Sequence, residues 1–307
     1  MRPLNSVFTP PMMIFSQGFT KFAFSAHKVR FFHGLRSITG DDVDADLLRF
    51  LTAFFASNLS KYLTFHSGSN FGVGREQLHV YESLNLPFPL PDHELAPNGA
   101  TEIVREVARI ITGIERRGEN ASADRRESLL SDAKQGLEPL VEAYFNVSKE
   151  ERILIEDTLA ISQPSIHQHG LDGKIASLAF PDGSERKLYA DTLCATLNRY
   201  VRKQGIKISA QGMAAQDFNL MFMTVIFGTH KRPYVDVTGQ HELWAALARL
   251  DKAARHENGP FSYLRGFSYF EPDRLHMLKP AVLRSWSRTA ALNDADAIFE
   301  HLAEQDA

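Results

Sequence analysis

A short polar stretch near residue 70 carries side chains that could recognise DNA. Ser67, Ser69 and Asn70 lie in a loop rich in glycine, and Arg75 and Gln77 follow it closely. Serine and asparagine can contact phosphates or base edges, arginine can bind a guanine edge or a phosphate with two hydrogen bonds, and glutamine can pair with an adenine edge. The sequence therefore nominates these five residues as DNA contacts. The alternative is that they are ordinary solvent-exposed loop and strand residues.

The start of the chain is basic and free of acids. Residues 1–40 include Lys21, Lys28 and Arg30 but no aspartate or glutamate, and the first acids are Asp41 and Asp42. A positive segment without acids suits contact with phosphates. We therefore add the three cations to the predicted DNA contacts. The alternative is a set of aromatic core strands whose few cations are ordinary surface residues.

Two further basic stretches occur in the second half of the chain. Residues 199–207 contain four cations and no acid, and His230-Lys231-Arg232 follows a predicted strand. Cations are favourable at the C-terminal end of a helix dipole, so the sequence favours a solvated helix end over phosphate contact for residues 199–207. The same two alternatives apply to residues 230–232.

The motifs of an adenine DNA methyltransferase are missing. A site for S-adenosylmethionine needs a glycine-rich turn between a strand and a helix, but the Phe-Gly-Val-Gly sequence at 71–74 precedes a strand-like segment. Adenine-N6 transfer also needs an Asn/Asp-Pro-Pro-aromatic tetrad that holds a flipped-out base. Residues 9–12, Thr-Pro-Pro-Met, have the two prolines and neither functional end.

The sequence signals for nuclease activity and for metal binding are equally weak. Asp182 and Glu185 are separated by only two residues in a predicted turn, whereas metal-binding carboxylates of nucleases converge from different strands. His167 and His169 have no third ligand at a suitable spacing. Cys194 lies in no nucleophile motif and is predicted to be a buried apolar residue. We therefore predict no catalytic residue, no metal and no cofactor in this chain.

The composition is that of a soluble globular protein. Of 307 residues, 44% are hydrophobic and 23% charged, and the net charge of −3 argues against a uniformly basic DNA coat. A single cysteine suits a reducing compartment, and no apolar run approaches the roughly 20 residues that a membrane span needs. These properties predict a cytoplasmic protein without a membrane partner.

Periodicity predicts an α+β fold of mixed small sheets with packed helices. Helical spacing marks residues 41–63, 101–117, 123–145, 148–159, 190–204, 242–256 and 293–302, and strand patterns mark residues 75–81, 206–210, 219–227, 262–270 and 275–278. Ser148 and Glu151 have the spacing of a capping box. The Pro-Asp-Gly-Ser sequence at 181–184 predicts a hairpin turn between residues 174–180 and 186–189.

Residues 49–91 resemble the target-recognition region of bacterial N6-adenine DNA methyltransferases and of type I or fused type II restriction–modification enzymes. The matching features are the helix at 50–62, the sequence Phe-His-Ser-Gly-Ser-Asn-Phe-Gly-Val-Gly-Arg-Glu-Gln at 65–77 and Leu-Pro-Phe-Pro-Leu-Pro at 86–91. Residues 11–18 resemble the strand and glycine turn that begin this region, and parts of 263–296 resemble tails of the same proteins.

The resemblance implies a recognition module without its catalytic domain. We expect a DNA target-recognition module over 1–95, a helical segment over 96–163 and a C-terminal α+β module over 164–307. The expected partners are double-stranded DNA and a methyltransferase or restriction subunit that carries S-adenosylmethionine. The alternative function is a protein–protein scaffold in a defence complex, which would contact only the partner subunit.

Overall fold

Two β-sheets with helices packed on them make up the α+β fold of this protein. The computed structural model describes residues 6–18, 21–32, 34–69, 79, 81–82, 85–166, 175–201, 205–215, 219–236, 245, 248 and 267–305. Contacts divide the chain into two compact units, residues 1–159 with 166–169 and residues 160–165 with 170–307. Within the described ranges, no helix is both long and apolar enough to cross a membrane.

The first unit contains a three-stranded antiparallel sheet. Its strands, in order across the sheet, are β2 (Phe22–Ser25), β1 (Met12–Ser16) and β3 (Leu35–Thr39). Met13 and Phe15 of the central strand are buried in the core that the helices share. Because side chains alternate along a strand, Met12 and Ile14 lie on the opposite face.

The helices of the first unit follow the sheet in the chain. Those that the structure describes are α1 (Ala45–Ala56), α2 (Asn58–Ser67), α3 (Ala100–Gly118), α4 (Ala123–Tyr144) and α5 (Lys149–Asp157). The predicted capping box of α5 is confirmed: the Ser148 hydroxyl accepts from Glu151 N (3.1 Å), and the Glu151 carboxylate accepts from Ser148 N (2.7 Å). A π-helical turn (Thr158–Ser162) and the short helix α6 (Gln163–Ile166) come next.

Aromatic rings fill the core of the first unit. The ring centroids of Phe50 and Tyr144 are 4.5 Å apart, and those of Phe54 and Phe145 are 4.8 Å apart. Phe88 belongs to the proline-rich segment of residues 86–91, and its ring centroid lies 5.5 Å from that of Phe54. These contacts join α1, α4 and the proline-rich segment in one core. Helices α3, α4 and α5 therefore belong to the first unit and do not form the separate middle segment expected over 96–163.

The second unit is built on a five-stranded sheet. Its strands, in order across the sheet, are β6 (Val235–Asp236), β4 (Lys207–Ala215), β5 (Leu220–Gly228), β8 (Arg274–Pro280) and β7 (Phe267–Glu271). Among the strands that the structure describes in this sheet, only β6 pairs in parallel with its neighbour, β4. The strands predicted over 206–210, 219–227 and 275–278 are confirmed, because each carries a clear apolar run or alternation.

Two long helices, α7 (Gly183–Tyr200) and α8 (Arg288–Gln305), share a core with this sheet. Leu193 and Leu197 of α7 meet Met221 and Met223 of β5 there. A polar cluster lies within the same core. Lys279 donates to Asp294 and to the carbonyl of Ser285 (3.1 Å), and Tyr189 donates to Asp294 (2.5 Å). Burial lowers the pKa of Lys279, although the Asp294 carboxylate opposes that effect.

The predicted hairpin over 174–189 is wrong. The Asp182 carboxylate accepts hydrogen bonds from Ser184 N (2.8 Å) and Glu185 N (2.9 Å), and the Glu185 carboxylate accepts from Asp182 N (2.7 Å). This capping box satisfies backbone N–H groups that the first turn of a helix leaves without partners. A helix therefore begins at Gly183, where the sequence Pro-Asp-Gly-Ser suggested a tight turn.

The predicted single helix over 41–63 is divided in two at Ser57. This residue has an extended backbone, and its hydroxyl accepts from Ser60 N (3.1 Å), which caps the start of α2. Most of the strand predicted over 75–81 and most of the helix predicted over 242–256 lie outside the described residues.

Candidate nucleic-acid interface

Lys28 and Arg30 lie on the segment that connects β2 to β3. Ser25, at the end of β2, pairs with Met12 at one end of β1, whereas Gln17 N donates to the carbonyl of Gly34 (3.0 Å) beyond the other end. The connection therefore passes from one end of β1 to the other. Its two cations are exposed, and neither forms an ion pair with another described residue.

Aromatic side chains accompany these cations. Phe32 is 90% exposed, although it is a large apolar residue. Its neighbour Phe31 packs edge-on against Phe8, with ring centroids 5.0 Å apart, and so fastens the connection to the start of the chain. Cations next to an exposed ring form a surface suited to a polyanion that also offers flat apolar groups.

Lys21 lies in the turn between β1 and β2. Its carbonyl accepts from Ser16 N (3.0 Å), and its own N–H donates to the Ser16 hydroxyl (3.1 Å), so the backbone of Lys21 is held next to Ser16. The Lys21 side chain is exposed and has no ion-pair partner among the described residues. It lies at the same end of β1 as Gly34, where the connection carrying Lys28 and Arg30 returns to the sheet.

The serines of the predicted contact loop have partners within the protein. Ser67 is the last residue of α2, and its hydroxyl donates to the carbonyl of Leu63 (2.7 Å). Ser69 donates through its backbone N–H (2.9 Å) and its hydroxyl (2.7 Å) to one carboxylate oxygen of Glu82. His79 N donates to the other oxygen (2.7 Å). In this arrangement both hydroxyl groups donate to protein acceptors.

Glu82 also places a negative charge next to Ser69. Burial by itself would raise the pKa of Glu82, but hydrogen bonds from Ser69 and His79 outweigh burial and lower that pKa to about 2. The carboxylate is therefore ionised at neutral pH, and a phosphate at Ser69 would be repelled by it. The other three predicted contacts, Asn70, Arg75 and Gln77, lie outside the described residues.

A second cationic surface lies in the second unit, where a groove of about 690 Å³ opens between α7, β4 and the segment before β6. Lys207, Lys231 and Arg232 line it and form no ion pair with described residues. Lys187 also lines it and pairs with Asp191 (2.5 Å), which is the one acid among the described lining residues. The apolar part of the lining consists of Ala190, Cys194, Ala195, Ile208 and Ala210.

An ion pair fixes the segment that carries Lys231 and Arg232. Arg186 of α7 donates to Asp236 of β6 (2.7 Å for the shortest bond) and to the carbonyl of Pro181 (2.7 Å). Burial by itself would raise the pKa of Asp236, but hydrogen bonds from Arg186 and Tyr234 lower it, so the pair is charged. The segment between β5 and β6 is thereby attached to the N-terminal part of α7.

Tyr234 forms a wall of this groove through close packing. Its hydroxyl donates to Asp236 (2.5 Å), and a β-carbon added at Gly212 would come within 2.2 Å of that hydroxyl oxygen. A side chain at position 212 would therefore force Tyr234 to move, because the tyrosine hydroxyl occupies that space. The position of the ring is determined on two sides, by Asp236 and by the backbone of β4.

Asn198 and Cys194 close the groove on the side of α7. The Asn198 amide donates to the carbonyls of Cys194 (2.7 Å) and Ile208 (2.9 Å) and accepts from Ile208 N (3.0 Å), which holds the start of β4 against the helix. Burial raises the pKa of the Cys194 thiol to about 12, with a further contribution from Asp191. The thiol is therefore protonated and is a poor nucleophile, in agreement with the sequence analysis.

Sequence reasoning noted the cations at 199–207 and 230–232 separately but did not bring them together. Lys187 was not grouped with these cations, because residues 186–189 were predicted to be a strand. The Asp-x-x-Glu spacing of residues 182–185 was the available signal for a helix that places Lys187 near Lys207. In the described part of the chain, no cluster of three or more His, Cys, Asp or Glu side chains could hold a metal ion.

Comparisons with protein-family models, with curated proteins and with solved structures give no match for this chain. Its function is therefore argued from the two cationic surfaces and from the motifs of its sequence.

Proposed function

We propose that this protein binds DNA in a sequence-directed way, as the recognition part of an adenine-N6 DNA methyltransferase or restriction–modification system of the cytoplasm. The transfer chemistry and S-adenosylmethionine would belong to a partner subunit. The observation that carries the proposal is the cationic connection between β2 and β3. Lys28 and Arg30 are exposed there, beside the exposed ring of Phe32, in a part of the sequence without acids.

Phosphate contacts explain what such a surface can do. Each cation that neutralises a phosphate releases counterions, so affinity falls steeply as salt rises. The cations at positions 21, 28 and 30 would supply affinity and orientation but little sequence information. Discrimination between sequences would depend on Arg75 and Gln77, whose side chains carry the donors and acceptors that read base edges.

The scaffold alternative is favoured by one observation of the same connection. Phe32 and Val29 are apolar and exposed beside the cations, as expected for side chains that pack against a partner protein. A protein interface of this kind would depend on Phe32 more than on Lys28 and Arg30, and its strength would vary little with salt.

Salt-dependent DNA binding separates the two functions. We expect a fluorescently labelled random-sequence duplex to bind the full chain, with log affinity falling linearly against log salt. The Lys28→Ala/Arg30→Ala variant should reduce the magnitude of that slope by about 2, because two phosphate contacts are lost. The matched control is Arg105→Ala/Arg125→Ala, which removes two exposed cations from helices α3 and α4. A flat salt dependence, or equal effects of the two double variants, would refute the proposal.

Sequence-directed binding needs its own measurement. Selection of bound duplexes from a random pool should enrich one short motif, and Arg75→Ala should weaken that enrichment at one base position by about 1–3 kcal/mol. Lys28→Ala should instead weaken binding to selected and scrambled duplexes by the same factor. Recovery of an unenriched pool from the unmodified chain would contradict sequence-directed binding.

A further inference from the structure

The groove of the second unit has a cationic rim assembled from separate parts of the chain. Lys207 begins β4, whereas Lys231 and Arg232 belong to the segment between β5 and β6. With Lys187 there are four cations against the single carboxylate of Asp191. Because that carboxylate is already paired with Lys187, the other three cations determine the local charge. The rim therefore favours an anionic group with more than one negative oxygen.

The floor of the groove has a different character from its rim. Ala195 is exposed and presents only a methyl group, and the almost fully buried Ala190 and Ala210 form the layer beneath it, so no large side chain keeps a ligand from this part of the backbone. Cys194 adds a protonated thiol, which behaves as a small apolar group. A surface of small apolar side chains suits a flat ring system better than a hydrated ion. The groove thus offers one zone for an anion and another for an apolar plane.

The walls of the groove are held by contacts within the protein. Arg186 and Asp236 hold the segment that carries Lys231 and Arg232, and the ring of Tyr234 is fixed above Gly212. A binding site whose side chains are held by packing and hydrogen bonds loses little conformational freedom when it binds. Its volume of about 690 Å³ lies within the range of roughly 300–1,000 Å³ that is typical of small-molecule sites.

We propose that this groove is a binding site for a nucleoside phosphate, with the phosphate at Lys207, Lys231 and Arg232 and the base against the alanine floor. The nucleotide is either free or part of a DNA strand, since both present the same phosphate and base. The proposal does not depend on the DNA contacts proposed for Lys28 and Arg30, which lie in the first unit. Neither the groove nor its ligand class follows from any motif of the sequence.

Equilibrium dialysis of the full chain tests this site with four probes: adenosine monophosphate, adenosine, inorganic phosphate and an eight-nucleotide thymidine single strand. We expect the monophosphate to bind at least about tenfold more tightly than adenosine or phosphate, because only it fills both zones. Competition between the monophosphate and the single strand indicates a groove that accepts a nucleotide within DNA. Binding of the monophosphate alone indicates a free nucleotide. Equal binding of phosphate and monophosphate would overturn the role of the floor, and absence of binding would overturn the site.

Two variants locate the binding in the groove. Lys231→Ala/Arg232→Ala should reduce the affinity for the monophosphate by about tenfold or more, whereas Arg274→Ala/Arg284→Ala, which removes two exposed cations elsewhere in this unit, should leave it unchanged. Ala195→Leu fills the floor from an exposed position and should abolish binding, whereas Ala297→Leu on α8 should not. If the groove variants and their controls behave alike while thermal unfolding shows all of them folded, the site is elsewhere and the proposal is wrong.

The variants also distinguish nucleotide binding in the groove from duplex binding at Lys28 and Arg30. Lys28→Ala/Arg30→Ala should leave nucleotide binding unchanged, and Lys231→Ala/Arg232→Ala should retain the salt-dependent binding of duplex DNA. Loss of nucleotide binding in Lys28→Ala/Arg30→Ala would contradict the assignment of the nucleotide site to the groove. Loss of duplex binding in that variant, but not in Lys231→Ala/Arg232→Ala, supports the proposed function. Photocrosslinking with 8-azidoadenosine monophosphate should label peptides containing residues 187–198, 207–210 or 231–234.

Discussion

The two units present their cations on surfaces of different shape. In the first unit, Lys28 and Arg30 are exposed along a connection that follows β1, next to the exposed Phe32. In the second unit, Lys207, Lys231 and Arg232 line a groove whose segments are attached to one another by Arg186 and Asp236. An open row of cations suits a long polyanion, whereas cations around a fixed groove can select a ligand of limited size. Charge alone therefore does not specify what a basic surface binds.

The cores of the two units differ in a related way. The first core contains several aromatic rings, among them Phe50, Phe54 and Tyr144, packed with aliphatic side chains. The second contains a buried polar cluster in which Lys279 and Tyr189 both donate to Asp294. Rings contribute mainly through buried apolar area and through offset or edge-on ring contacts. Charged groups that are buried away from water require partners of opposite charge and hydrogen bonds to offset the loss of hydration. The stability of the second core therefore depends on specific polar partners as well as on buried apolar area.

The largest expected effect is that of Phe54→Ala. Phe54 is fully buried and lies against Phe55, Phe88 and Phe145. Its removal leaves a cavity and should lower the free energy of unfolding by about 3–5 kcal/mol. Hydrogen exchange, resolved by peptide, should show the loss of protection in α1 and α4. The control Phe32→Ala removes an exposed ring and should change stability by less than about 0.5 kcal/mol. Equal losses for both variants would contradict the aromatic core.

Asp294→Ala should have the next largest effect, of about 3 kcal/mol, because it leaves the Lys279 ammonium group buried without its partner. Hydrogen exchange should report the loss in β8 and α8. The double variant Lys279→Met/Asp294→Leu removes both charges and should recover much of the stability. If the double variant is less stable than Asp294→Ala, the cluster contributes more through its hydrogen bonds than through its charge balance.

The sequence predicted the fold class and many elements because these depend on local patterns. The apolar run of β5 and the stripe of α3 are visible without any knowledge of partners. The helix that begins at Gly183 was not predicted, because Asp182 and Gly183 are equally typical of a tight turn. Only the reciprocal hydrogen bonds between Asp182 and Glu185 show that a helix begins here. The expected boundary near residue 95 failed for another reason: Tyr144 and Phe54 are far apart in sequence, so their shared core leaves no local signal.

The candidate sites show the same limit. Lys28 and Arg30 could be nominated because they are close in sequence, and the structure describes both as exposed. Lys207, Lys231 and Arg232 line one groove because Lys207 pairs with Gly228 at the end of β5 and because β6 pairs in parallel with β4. Pairing between separated strands is not contained in charge spacing. The predicted donors Ser67 and Ser69 show the converse, since their partners Leu63 and Glu82 were not apparent from residue type.

Glu82→Gln should cost on the order of 1–2 kcal/mol at neutral pH, because it replaces the charged acceptor of Ser69 and His79. In the folded protein the pKa of Glu82 is lowered from 4.5 to about 2. Its stabilising effect is therefore complete above pH 4.5 and is lost as the pH falls towards 2. Urea unfolding at about pH 6 and about pH 3 should show a smaller difference between the unmodified chain and the variant at the lower pH. For the exposed control Glu127→Gln, a difference that does not depend on pH is expected. A pH-independent difference for Glu82→Gln would mean that Glu82 does not anchor this loop through its charge.

The smallest effect expected is that of the helix caps, which occur as the same device in both units. Ser148→Ala removes the acceptor for Glu151 N at the start of α5 and should cost about 1 kcal/mol. Asp182→Ala removes the acceptor for Ser184 N and Glu185 N at the start of α7, and should speed amide exchange in its first turn. The conservative variants Ser148→Thr and Asp182→Asn keep an acceptor and should retain most of the protection. The Asp182 cap also bears on the groove.

Because Asp182 caps the helix that carries Lys187 and the alanine floor, Asp182→Ala should also weaken nucleotide binding in the groove. Ser148→Ala should leave nucleotide binding unchanged, since Ser148 lies in the first unit. If Asp182→Ala loosens the first turn of α7 without changing nucleotide affinity, the groove depends on Arg186 and Asp236 and not on the cap.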